Sequence, residues 1–278
     1  MAGASDRWQD LRPRLISAAV MIAVGVVEIV LGGWPFLVLV GALISLMIWE
    51  LAAMTGRPQG GRMAVGIALL AALAILFDEG WPSVPSWWVF PFVIGAILVT
   101  PRIQPIASAA IAAAILVGGH GLFVLRDEAG TPAILWLIGV VIASDVMGYF
   151  VGRIVGGPKF WPAISPKKTW SGTIAGWFGA LVVGVGFVSA GATAVGVGFV
   201  LAGQGEPLLI LLSPFVAFAG QMGDIAESWI KRRAGVKDSS HLIPGHGGVM
   251  DRFDALTGAM VAVMILGRLI DLPVGFGG

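Results

Sequence analysis

Residues 207–254 read PLLILLSPFVAFAGQMGDIAESWIKRRAGVKDSSHLIPGHGGVMDRFD. No side chain in 207–223 is charged, and then Asp224, Glu227, Asp238, Asp251 and Asp254 alternate with Lys231, Arg232, Arg233, Lys237 and Arg252. An apolar run long enough to cross a bilayer, ending in a basic juxtamembrane segment, predicts a transmembrane helix that emerges on the cytoplasmic side. The same run carries acidic groups at its emerging end, so the fold and the chemistry are read from one stretch.

Outward from it the apolar runs recur, near 14–32, 34–54, 63–77, 86–100, 104–124, 132–152, 172–192, 207–230 and 252–272. A chain of 278 residues that is 57% hydrophobic and 12% charged lacks the polar surface a soluble domain of this size needs. The fold class expected is all-α, a polytopic transmembrane helical bundle of about nine spans with a polar active site at the cytoplasmic face. The 63–77 and 86–100 runs are short, and 172–203 is too long for one span, so eight or ten spans remain open.

Charge orients the bundle. With a cytoplasmic N-terminus, that face receives every one of the 17 Lys and Arg residues except Arg126 and Arg268, while the opposite loops hold Asp78, Glu79, Asp127, Glu128 and Glu206. The net charge of +1 hides this asymmetry. The expected location is the inner (cytoplasmic) cell membrane, multi-pass, with the first span retained rather than cleaved. With no cysteine there is no disulfide, thiolate chemistry or Cys-ligated metal. The 41 glycines fit close packing of helices through small residues.

The first hundred residues carry almost no interior charge beyond Glu28 and Glu50, and 1–130 read as an N-terminal transmembrane scaffold, with 131–278 as a C-terminal catalytic transmembrane region. Neither glutamate has a partner nearby in sequence. Trp34, Trp81, Trp87, Trp88 and Trp161 fit interfacial belts better than a base-stacking surface, and no nucleic-acid partner is expected.

Three polar constellations lie on the cytoplasmic side. Asp224, Glu227 and Ser228 share one helical face, and an ionised Asp in a membrane helix costs about 2.5 to 3.5 kcal/mol unless a partner, water or a cation meets it. Asp251 and Asp254 open the last span, where carboxylates also serve as helix caps. Asp224 and Asp251 sit on helices joined by one short loop, and two hard oxygen ligands there suit Mg2+. The loop adds Lys231, Arg232, Lys237 and the stretch His246, Gly247, Gly248, whose backbone N–H groups can approach an anion. The third constellation is Asp145, Tyr149 and Arg153 on one stripe, with Asp145 about 10 Å inside the helix end, followed by Lys159, Lys167, Lys168, Thr169 and Ser171. Metal ligands beside cationic clamps are what phosphoryl chemistry requires. A transporter of an anionic lipid or phosphorylated solute also suits buried charge with a basic mouth, but the charges lie on one face and no matched pair of interrupted helices is evident.

The ordered series Ser228, Lys231, Arg232, Lys237, Asp238, Pro244, His246, Gly247, Gly248, Asp251, Arg252 and Asp254 resembles the signature of the phosphatidate cytidylyltransferase (CDP-diacylglycerol synthase) family. The Asp145, Tyr149, Arg153 stripe and the run Ser165, Pro166, Lys167, Lys168, Thr169 resemble its second polar region, so that together the likeness covers roughly 144–255. Ser171 departs from it where many members carry Glu, and receives no carboxylate-dependent role.

The resemblance implies Mg2+-dependent transfer of CMP from CTP to phosphatidic acid, giving CDP-diacylglycerol and pyrophosphate in phospholipid biosynthesis. It implies catalytic roles for Asp224, Asp251, Lys231, Arg232 and Lys237. Metal binding would fall to Asp224 and Asp251, with Ser228 and Asp254 completing the site, and K+ as a second cation near Ser228 and Asp251. Substrate binding would fall to Asp145, Tyr149, Arg153, Lys167, Lys168, Thr169, Ser171, His246, Gly247, Gly248 and Arg252. The implied partners are CTP, phosphatidic acid, membrane lipids and a second copy of the chain in a homodimer.

Overall fold

The computed structural model describes residues 4–57, 61–80, 88–190 and 206–269. In chain order its elements are α1 (Ala4–Leu31), α2 (Gly33–Thr55), α3 (Gly61–Gly80), α4 (Phe90–Val99), α5 (Pro105–Ile154), β1 (Lys159–Trp161), β2 (Ser165–Thr169), α6 (Trp170–Ser189), α7 (Glu206–Ala234) and α8 (Met250–Leu269). Helices dominate because a backbone in hydrocarbon has to satisfy its own N–H and C=O groups within each segment. Among the described residues, five helices are long and apolar enough to cross a membrane: Pro13–Leu31, Gly33–Thr55, Pro105–Ile154, Trp170–Ser189 and Leu208–Ala234. Gly61–Leu76 and Phe90–Val99 are shorter apolar helices. The chain is a multi-pass helical membrane protein. The path of 191–205, left open by the sequence, lies outside the described residues.

α5 absorbs two of the expected spans. A straight helix of its 50 residues would run ~75 Å, far beyond a hydrocarbon core of ~30 Å. It reverses at Gly130, whose φ of 77° and ψ of −174° no helix contains, with Pro132 just beyond Thr131. The contacts on either side establish the reversal. Gly118 and Gly121 lie against Thr257 and Met264, so the first half runs parallel to α8. Trp136 donates to Ser213 Oγ at 3.0 Å and Gln221 donates to Ser144 Oγ at 3.0 Å, so the second half runs parallel to α7. Because Gly220 lies on Ala255 while Gly223 lies on Asp254, α7 and α8 are antiparallel, and so are the halves of α5.

The two ends of the bundle are tied differently. At the α1–α2 junction, Arg126 Nε donates to Ile29 O at 2.7 Å, satisfying a carbonyl at the end of α1. At the other end, Ile103 N–H donates to Thr55 O at 2.9 Å and joins the end of α2 to the start of α5. Between these ends the core is apolar: Ile48 and Leu51 of α2, Leu116 and Leu125 of α5, and Met260 of α8 are buried.

The helical bundle carries one short β element among the described residues. Part of the connection 153–171 is a two-stranded antiparallel hairpin, β1 on β2, with Lys159 opposite Thr169 and Trp161 opposite Ser165. Phe160 meets Trp170 edge-on at 4.7 Å between ring centroids, which folds the hairpin onto the start of α6. Thr169 ends β2 and caps α6, its side chain accepting from Gly172 N–H at 3.2 Å.

α7 and α8 cross on small residues. A Cβ built on Gly258 would stand 2.5 Å from Ala219 O and 3.0 Å from the Gly223 Cα, so the backbones touch. Gly258→Ala therefore forces the helices apart. It is expected to cost about 1 to 3 kcal/mol, read as a lower thermal midpoint in detergent, while Gly186→Ala, whose added carbon meets nothing within 4 Å, leaves the midpoint in place.

Candidate active site

The close α7–α8 crossing brings acidic side chains from two helices together. One carboxylate oxygen from each of Asp224, Glu227 and Asp254 lies within 4.8 Å of the other two. Ser228 Oγ donates to Asp224 Oδ1 at 3.3 Å, adding a neutral oxygen at the edge of the group. Glu227 is buried, and its Oε1 has no hydrogen-bond partner. Three carboxylates at this spacing, one of them with an unpartnered buried oxygen, fit a small divalent cation.

Asp251 stands one lysine away. Lys231 Nζ is 2.6 Å from Glu227 Oε2 and 2.5 Å from Asp251 Oδ1, one ammonium shared by carboxylates from two helices. The other Asp251 oxygen accepts from Gly248 N–H at 2.8 Å, Ser239 N–H at 2.9 Å and Ser239 Oγ at 3.0 Å. Reaching back to Gly248, it caps α8 in the manner of a capping-box acid. Burial alone would raise the pKa of Asp251, but the bonds from Lys231, Gly248 and Ser239 outweigh it and hold the group below its ordinary value.

Beside the acids opens a cavity of about 770 Å³ between the second half of α5, the hairpin, α6 and α7. Asp145, Tyr149, Arg153, Lys159, Lys167, Lys168, Thr169 and Asp224 all line it. Its walls approach because glycines do: a Cβ on Gly172 would meet Gly148 O at 2.5 Å and Gly152 Cα at 3.2 Å. Arg153 Nη1 donates to Tyr149 Oη at 2.8 Å. Lys168 Nζ lies 2.6 Å from Asp224 Oδ2, linking hairpin to acid cluster. Ser171 sits behind this wall, bonded to Thr169 Oγ1 at 3.0 Å and to the Gly156 carbonyl.

The remaining expected residues lie apart from the cavity. His246 Nδ1 is 2.8 Å from Ser17 Oγ of α1, and Ser17 Oγ also donates to Pro244 O at 3.0 Å. Gly247 and Gly248 shape the turn around Asp251, with Gly247 at φ 84° and paired to Ile243. Arg232, Lys237 and Arg252 are exposed and line none of the cavity.

Two residues of the site carried no assigned role from sequence. Gln221 lines the cavity floor, donating to Ser144 Oγ and accepting from Trp177 Nε1 at 3.1 Å. Glu227 belongs to the acid cluster; its place three residues after Asp224 was the available signal.

A model of the cytidylyltransferase family matches residues 12–270. The chain is similar to a phosphatidate cytidylyltransferase of Brucella abortus, 34% identical over 246 residues, covering 87% of this chain and 74% of that protein. It is similar to one of Pseudomonas aeruginosa, 32% identical over 269 residues, covering 90% and 94%. It is also similar to one of Helicobacter pylori, 40% identical over 214 residues, covering 77% and 67%. With a match over nearly its whole length and a basic cavity opening beside clustered carboxylates, the chain belongs to the cytidylyltransferase family.

Proposed function

We propose that the protein is a phosphatidate cytidylyltransferase, transferring CMP from CTP to phosphatidic acid with release of pyrophosphate. The observation that carries this reading is the junction of two features: a cavity walled by Arg153, Lys159, Lys167 and Lys168, and the Asp224, Glu227, Asp254 cluster joined to it through Lys168. A volume of about 770 Å³ suits a nucleoside triphosphate.

In the reaction a phosphate oxygen of phosphatidic acid bonds to the α-phosphorus of CTP while the bond from that phosphorus to the bridging oxygen of pyrophosphate breaks. The acceptor oxygen is ionised at neutral pH, so no side chain has to remove a proton. The work left to the protein is alignment and relief of negative charge. Lys159, Lys167 and Lys168 of the hairpin bind the triphosphate, with Arg153 held against Tyr149 at the rim. Asp224, Glu227 and Asp254, with Ser228 beside them, would hold Mg2+, and Asp251 is the fourth carboxylate, tethered to Glu227 through Lys231. When bound, the cation neutralises charge on the phosphate oxygens and the departing pyrophosphate. A K+ beside Ser228, nine membrane passes, a cytoplasmic N-terminus in the inner membrane, and a homodimer complete the reading. The 131–278 half is then the catalytic region, and phosphatidate enters laterally with its acyl chains still in the bilayer.

Detergent-purified protein is expected to release pyrophosphate only when CTP, phosphatidate and Mg2+ are all present. Asp224→Asn and Asp254→Asn are expected to lower turnover on the order of 100-fold. Mg2+ should also raise the wild-type thermal midpoint and leave that of Asp224→Asn unchanged. Full turnover in Asp224→Asn would refute the metal assignment, and turnover with a different lipid phosphate alone would move the acceptor.

Lys231 and Lys168 are expected to separate by stability. The side chains of Lys231, Glu227 and Asp251 are 11%, 3% and 5% exposed, so Lys231→Met strands two buried carboxylates at a cost of about 3 to 5 kcal/mol. Lys168 and Asp224 are 26% and 35% exposed, so Lys168→Met costs about 1 kcal/mol or less. Thermal melts of the two variants, without substrate, check the contrast.

A further inference from the structure

Glu50 lies in α2, within the half of the chain read as scaffold, and is 0% exposed. A carboxylate there has to be met by donors or it is prohibitive to bury. Four donors meet it, and all come from residues 239–250. Ser240 Oγ donates to Oε1 at 2.5 Å and Val249 N–H to Oε1 at 2.9 Å. Met250 N–H donates to Oε2 at 2.6 Å, and Ser239 Oγ lies 3.1 Å from Oε2. The two backbone donors stand at the N-terminus of α8, where N–H groups have no partner within the helix and the dipole favours an anion. Glu50 thus takes up the Val249 and Met250 N–H groups at the start of α8 from a helix about 200 residues away. The fit is close: a Cβ on Gly248 would stand 2.5 Å from Glu50 Oε1.

The clamp continues into the site. Ser239 Oγ, between Glu50 Oε2 and Asp251 Oδ2, shares its one hydrogen between them, and Asp251 is bonded to Lys231 and Lys231 to Glu227. Asp254, one turn into α8, moves with the capped end. We propose that Glu50 is a positioning residue for cytidylyl transfer: by fixing the first turn of α8 and the 239–250 loop, it sets Asp251 and Asp254 against Asp224 and Glu227. This rests on the reading that those carboxylates hold the metal.

The test uses the full chain in detergent. In Glu50→Gln one acceptor oxygen becomes an NH2 group facing backbone donors, while shape is kept. The variant is expected to remain monodisperse, to lose kcat about tenfold or more, to need several-fold more Mg2+ for half-activation, and to keep the KM for CTP. Glu50→Asp, with the charge restored on a shorter arm, is expected to recover part of kcat. A folded Glu50→Gln with the wild-type kcat and Mg2+ curve overturns the inference, as does a kcat that falls only in proportion to the unfolded fraction. Should Glu50→Gln fail to fold, Ser240→Ala, which removes one bond of four, is read instead: a smaller shift of kcat and Mg2+ requirement in the same direction supports the inference, and unchanged values overturn it. Wild-type protein with no Mg2+-dependent turnover would instead overturn the functional reading itself.

Discussion

The site depends on one ammonium group in a place where water is scarce. Lys231 lies between Glu227 of its own helix and Asp251 of the next, close enough to bond both. Without it the buried carboxylates of Glu227 and Asp251 would lose their shared counter-charge beside a third and a fourth acid. With it, α7 and α8 are joined by charge as well as by glycine contact. The close crossing at Gly223 and Gly258 sets the distance between the acids, and Lys231 makes that distance tolerable.

Lys168 performs the same service at the other edge of the cluster, with a difference that bears on function. Its partner Asp224 faces the cavity, and both are partly exposed. A lysine paired in a solvated place is released at little cost, so the Lys168 to Asp224 pair is the one that can open. Lys231, buried between two acids, is held in place. Two lysines of one chemistry thus divide into a structural and an exchangeable counter-charge through burial alone.

Much of the architecture was legible in the sequence because bilayer thickness turns hydropathy into element length. The reversal inside α5 was predicted by the polar gap between 124 and 132, and the Asp145, Tyr149, Arg153 stripe lines the cavity as helical spacing requires. The hairpin was not legible: its strands are three and five residues long and carry lysines and a proline rather than an alternating apolar pattern. Nor were the partners of Glu50, since periodicity reports which face a residue occupies but not which distant loop will meet it. Asp251 read as a metal ligand more than as a helix cap, and the geometry gives it bonds to Gly248, Ser239 and Lys231 with a place beside the acid cluster.

The distribution of polarity follows from the physics of the two substrates the family name implies. A diacyl lipid keeps its chains in hydrocarbon while a triphosphate stays in water, so a bond between them can form only where charged side chains are solvated but helices still meet lipid. Asp145 and Asp224 sit about 10 to 15 Å from the ends of their helices and line the same cavity as the hairpin lysines. Placed deeper, the acids would have cost more than a lysine or a cation returns; placed in the loop, they would have lost the rigid spacing that two packed helices impose. Apolar transmembrane segments throughout, small residues where they cross, and charge confined to their emerging ends are one solution to that constraint.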